Sequence, residues 1–170
     1  MKKITSLLFV CSALLFFASC KKDSGGGTNY YIKANIDGTE KTYNSTPLAF
    51  SVNQSGTYSL AMSASAGTGS SEGLALQINQ SSNPITATTY TDGTGGDYAL
   101  GGDYNPGTTD ISKLYGAGLQ LSATAPLTIT ITSVSSSQVS GTFSGEFFDN
   151  SGAGSNSIMI TNGEFSLPIQ

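Results

Sequence analysis

From Tyr30 onward apolar and polar residues alternate with period two, and almost no helical periodicity interrupts them. Leu127, Ile129 and Ile131 alternate with Thr128, Thr130 and Thr132. Val139, Gly141, Phe143, Gly145 and Phe147 alternate with Ser140, Thr142, Ser144 and Glu146, and Leu74, Leu76 and Ile78 with Ala75, Gln77 and Asn79. Such segments predict strands with one face on a core and one in water, a setting that suits Thr and Ser on the outer side. The one helical candidate is Asp110 to Tyr115, with Asp110 as its N-cap.

Turn chemistry suggests how the strands pair. Read as a three-residue loop, Gln54-Ser55-Gly56 sets Val52 opposite Tyr58, Phe50 opposite Leu60 and Leu48 opposite Met62, with all six on one face. Asn162-Gly163 is a favoured type I′ pair, and a hairpin there sets Ile160 opposite Phe165 and Ile158 opposite Leu167. Asp37-Gly38 is a third turn, with its register open. Short strands punctuated by Gly and Asn predict an all-β fold, an antiparallel sandwich or barrel of about ten short strands. Residues 91–108 carry Gly-Gly-Asp-Tyr twice and read as a long loop with a short strand at Tyr98 to Leu100.

Composition narrows the chemistry. Of 170 residues, 67 are Ser, Thr or Gly; Arg, His and Trp are absent, and the formal charge is −4. Without a basic surplus there is nothing to neutralise nucleic-acid phosphate. Without imidazole the commonest general base and metal ligand are missing. Lys33, Lys41 and Lys113 are the lysines of the body, and no Ser-x-x-Lys motif contains them. Glu146 and Glu164 fall on polar strand faces, where a solvated role outweighs a glycosidase-like pair. The expectation is therefore a protein that is not an enzyme and carries no cofactor.

Three binding chemistries are open to such a chain. Asp97, Asp103 and Asn105 stand among glycines and are candidate calcium ligands, although their spacing fits neither an EF-hand nor a Gly-rich calcium repeat. A solvated glycine loop is the favoured reading, with no metal. Tyr90, Tyr98, Tyr104 and Tyr115 are candidates for an aromatic platform that binds glycan, against the plainer role of covering one end of the fold. A closed barrel with an empty apolar interior would instead suit a lipocalin-like carrier of a small apolar ligand.

The N-terminus differs from the body. Lys2 and Lys3 precede a nearly unbroken apolar run from Leu7 to Phe17, too short to cross ~30 Å of hydrocarbon comfortably. Phe17-Ala18-Ser19-Cys20 resembles the lipobox of bacterial lipoproteins. The resemblance implies a signal peptide over residues 1–19 and lipidation of Cys20. Cys11 leaves with the signal, so the mature chain has no disulfide framework. Five Lys then face eleven acids, and the anchor rather than the surface holds the protein to the membrane. Residues 20–29 read as a lipidated flexible tether of roughly 17 Å r.m.s. reach, and residues 30–170 as a single all-β domain.

Val139-Ser140-Gly141-Thr142-Phe143-Ser144-Gly145, then Ile160-Thr161-Asn162-Gly163-Glu164-Phe165-Ser166, form the C-terminal pattern. With Ser19-Cys20-Lys21-Lys22-Asp23 and Ile36-Asp37-Gly38, it resembles small uncharacterised outer-membrane lipoproteins of Bacteroidota. The resemblance touches both ends of the chain and implies an outer-membrane, lipid-anchored envelope protein. The role it leaves open is binding or structural, with a protein or glycan partner, on either the periplasmic or the outward face.

Overall fold

The computed structural model describes residues 29–118, 124–150 and 156–170. The chain is all-β. Its strands are β1 (Tyr31–Ile36), β2 (Thr39–Tyr43), β3 (Ser45–Gln54), β4 (Thr57–Ser65), β5 (Glu72–Ser81), β6 (Thr89–Thr91), β7 (Tyr98–Pro106), β8 (Tyr115–Gly118), β9 (Thr128–Val134), β10 (Gln138–Asp149) and β11 (Ser157–Pro168). They form one antiparallel sheet in the order β2-β1-β11-β10-β8-β7-β5-β4-β3, with β9 beside β10 and β6 beside β9. The sheet curls into a nearly closed barrel. Its two terminal strands are joined through Asn44, and a parallel bridge from Ala49 to Ile169 draws β3 toward β11.

The alternating residues fill the interior. Leu74, Leu76, Ile78, Leu127, Ile129, Ile131, Val139, Phe143, Phe147, Phe165 and Leu167 are all buried within one continuous core. Inward-facing glycines leave space for the rings beside them. A Cβ at Gly102 would lie 2.7 Å from Phe147 Cζ, and one at Gly163 would lie 2.6 Å from the Phe143 ring. Small and large side chains thus interlock across neighbouring strands, as the taper of a narrow barrel requires.

Asp37-Gly38 closes β1 onto β2 as a two-residue turn with Ile36 opposite Thr39. Both turn residues have positive φ, 47° and 80°. The expected helix is a single 3-10 turn at Ile111–Lys113, with Asp110 as N-cap accepting from the Ser112 amide.

Three expectations are corrected. The Asn162-Gly163 pair makes no hairpin, because β11 runs straight through it. Asn162, at φ 50°, is the extra residue of a bulge, and the register against β1 jumps from Lys33–Glu164 to Asn35–Thr161. Ile158 and Ile160 are buried at even positions, whereas Phe165 and Leu167 are buried at odd ones. A hairpin and a bulge both accommodate that change of parity. Pairing with β1 and β10 on both flanks selects the bulge.

The β3–β4 loop is also shorter than expected. Ser55 and Gly56, at φ 54° and 86°, form a two-residue turn that pairs Gln54 with Thr57, Phe50 with Ala61 and Ala49 with Met62. This one-residue slip turns Leu48, Phe50 and Val52 to the outer face. Finally, residues 91–108 are not a long loop. Tyr98–Pro106 is a full strand between β5 and β8, held by pairing on both sides.

Candidate functional site

Alternation along β1 buries Ile32, Ala34 and Ile36 and places Tyr31 and Lys33 on the outer face. The Asp37-Gly38 turn brings Thr42 opposite Lys33. With Asn29, Tyr30, Asn44 and Pro47 these residues line an open groove of about 650 Å³. Two phenol rings, two carboxamides, a hydroxyl and an ammonium surround one hollow. Lys33 Nζ lies 3.1 Å from Glu164 Oε2, on the adjacent strand β11. That hydrogen bond, with the carboxylate charge, holds the Lys33 ammonium above the ordinary lysine range.

A second cluster joins β2 to β5 and β7. Lys41 Nζ donates to Glu72 Oε1 at 2.6 Å and to the Tyr104 hydroxyl at 3.1 Å, and it lies 5.7 Å from the centre of the Tyr104 ring. Tyr43 donates to the same Glu72 oxygen at 3.4 Å. Burial pushes the Tyr43 phenol far upward, and the nearby Tyr104 and Glu72 charges add to the rise. Lys41 is raised as well, first by its bond to Glu72. Every polar head in the cluster is matched by another. The arrangement therefore ties three strands together and keeps a buried phenol neutral.

The residues singled out from the sequence scatter over the barrel. Cys20 lies outside the described residues. Asp97 precedes β7, and Asp103 follows it by six positions, ~20 Å along an extended strand. Asn105 spends its carboxamide oxygen on the Gly107 and Thr108 amides. The three calcium candidates therefore do not converge. Among the described residues no group of three or more His, Cys, Asp or Glu could hold a metal ion. Asp103 instead lines a cleft of about 230 Å³ with Gln77, Asn79 and the glycines of β7 and β8, and partial burial raises its carboxyl.

The tyrosine platform does not form either. Tyr90 and Tyr104 are buried. Tyr98 packs edge-on against Tyr90 at 5.1 Å, and its hydroxyl bonds the Thr91 backbone and Thr94. These rings cover the core, and the hydroxyls of Tyr90 and Tyr98 are bonded to backbone rather than left to water.

Glu146 and Glu164 lie on neighbouring strands but face different partners. Glu146 accepts from the Ser157 hydroxyl and the Thr124 amide, which hold its carboxyl low, whereas Glu164 pairs with Lys33. Lys113 lies 3.9 Å from its neighbour Asp110. The outer-face groove was missed from sequence, although the odd parity of Tyr31 and Lys33 was visible there. What was missing was the register of the Asp37-Gly38 turn, which supplies Thr42.

Comparison with known proteins returned no match, whether to a family model, a curated protein or a solved structure.

Proposed function

We propose that this chain is a lipid-anchored cell-envelope protein whose barrel binds saccharide on its outer face and catalyses nothing. The groove of Tyr30, Tyr31, Lys33, Thr42 and Asn44 carries the reading. Aromatic rings offer an apolar surface to the C–H face of a sugar. Amide, hydroxyl and ammonium groups around them supply the donors and acceptors that sugar hydroxyls need. The interior favours this over a carrier role, because it is occupied by one continuous cluster of apolar side chains. The resemblance of residues 17–20 to a lipobox supports the anchor, and the absence of His with the scatter of the acids supports a role without catalysis.

Titration with oligosaccharides released from bacterial envelopes, followed by tyrosine emission, tests the binding. Tyr31→Ala is expected to weaken it at least tenfold, and Ile111→Ser, on the 3-10 turn outside the groove lining, to leave it unchanged. Equal binding by both variants would remove the groove from consideration. The anchor is tested separately. Labelled palmitate is expected to enter the wild-type chain and not Cys20→Ala, and a labelled alanine variant would end the lipoprotein reading.

A further inference from the structure

The two-residue turn at Ser55-Gly56 leaves an apolar row without a role in the core. Leu48, Phe50 and Val52 alternate along β3 and face outward, and Phe50 and Val52 are 47% and 51% exposed. Across the ladder their outer-face neighbours on β4 are small, with Ala61 opposite Phe50 and Ser59 opposite Val52. Nothing on β4 shields the ring.

β3 is also a terminal strand of the sheet. In an antiparallel pair, alternate residues direct both backbone groups to the neighbour, and those between direct them away. A two-residue turn makes Gln54 and Thr57 the closing hydrogen-bonded pair. Ala49, Ser51 and Asn53 therefore turn their N–H and C=O groups to the open side. The Ala49 carbonyl confirms the phase, since it accepts from the Gln170 amide at 3.0 Å. Ser51 and Asn53 lie beyond that latch and face out.

Open edges are usually blunted by charge, most often Lys. This one is not. No Asp, Glu, Lys or Arg occurs from Asn44 through Ser71, while the chain as a whole is acidic. Two copies, each acidic overall, can therefore meet along the β3–β4 hairpin without repulsion between their charges.

We propose that the β3 edge is a docking strand for a second copy of this chain, paired antiparallel about a two-fold axis through Val52. In that register Ser51 of each copy faces Asn53 of the other, and all four outward backbone pairs are used. Val52 meets Val52 of the second copy at a non-hydrogen-bonded position, where side chains approach most closely. Phe50 packs diagonally against it, so the two exposed rows merge into one. The contact is isologous and closes on itself.

Disulfide trapping in the full-length chain, extracted from cells in mild detergent, tests this. Val52→Cys is expected to give a disulfide-linked dimer under mild oxidation, at least tenfold above an Ile111→Cys control at another exposed apolar position. Adding Ser51→Pro removes an outward N–H and leaves the β3–β4 ladder intact. It is expected to cut the trapped dimer at least fivefold with the melting temperature unchanged. Should that variant lose its fold, Phe50→Lys serves in its place, because it adds like charges beside the two-fold without touching the backbone. A dimer yield no higher than the control overturns the proposal. So does a yield indifferent to both second substitutions, or trapping to a different protein instead of a second copy.

Discussion

Lys41 and Tyr43 stand two positions apart on β2 and reach the same carboxylate from one side of the strand. Their consequences for stability are alkaline. The Tyr43 phenol titrates higher in the folded chain than in the unfolded one, so its contribution is complete below about pH 10 and is lost as pH rises further. Lys41 has the same sign, because its folded value is also raised. Thermal melts are thus expected to fall above pH ~10, with part of that fall removed in Tyr43→Phe. An alkaline limb identical in both proteins would contradict this. At neutral pH the same variant is expected to lose no more than ~1 kcal/mol, the worth of one hydrogen bond. The Gly102–Phe147 contact is the opposite kind of residue-scale effect. Gly102→Ala drives a methyl into the ring and is expected to cost ~1–3 kcal/mol in chemical denaturation.

At the scale of elements, β11 and β3 separate what local pattern reveals from what it hides. On β11 the parity of the apolar residues changes at Asn162-Gly163, and the sequence shows that change plainly. It does not show whether the chain reverses or bulges, since either keeps Ile160 and Phe165 inward. Deleting Asn162 restores a single parity and turns Phe165 and Leu167 out. At ~1.5–3 kcal/mol for each side chain lost from the core, the deletion is expected to unfold the barrel. Asn162→Gly keeps the left-handed backbone and is expected to stay within ~1 kcal/mol.

On β3 the difference has another source. An apolar row does not by itself mean burial: past Ala49 the strand overhangs the core and the turn alone decides the register. Ser55 at φ 54° is the weak member of that turn. Ser55→Asn gives the preferred Asn-Gly pair and is expected to add ~0.5–1 kcal/mol, read as a higher denaturation midpoint. The regular strands β5, β9 and β10 are legible because β5 and β10 are buried on one face along most of their length and β9 is so through Ile131.

For the whole molecule, an all-β architecture followed from the alternation, whereas the barrel-like closure did not. Closure depends on β5 pairing with β7 past β6, and on β10 reaching both β8 and β9, which no local pattern encodes. The same long-range pairing absorbs most of residues 91–108 into the sheet. Proteinase K under native conditions is therefore expected to spare Tyr98–Pro106, with calcium or a chelator making no difference to the melting temperature. Rapid cleavage inside that strand, or a calcium-dependent rise of several degrees, would contradict its placement. The candidate groove shares this dependence on distance. Its rings lie together in the sequence, but Glu164 reaches Lys33 only because β11 returns to lie beside β1.

That return of β11 also sets how the barrel bears load. β1 enters the sheet between β11 and β2, bonded to both. A pull at Tyr30 along the strand meets two ladders whose bonds lie across the direction of force. Both must slide together before either breaks, whereas a pull on a terminal strand peels its bonds one by one. Tyr30 thereby enters the barrel at a corner that resists a pull along the strand.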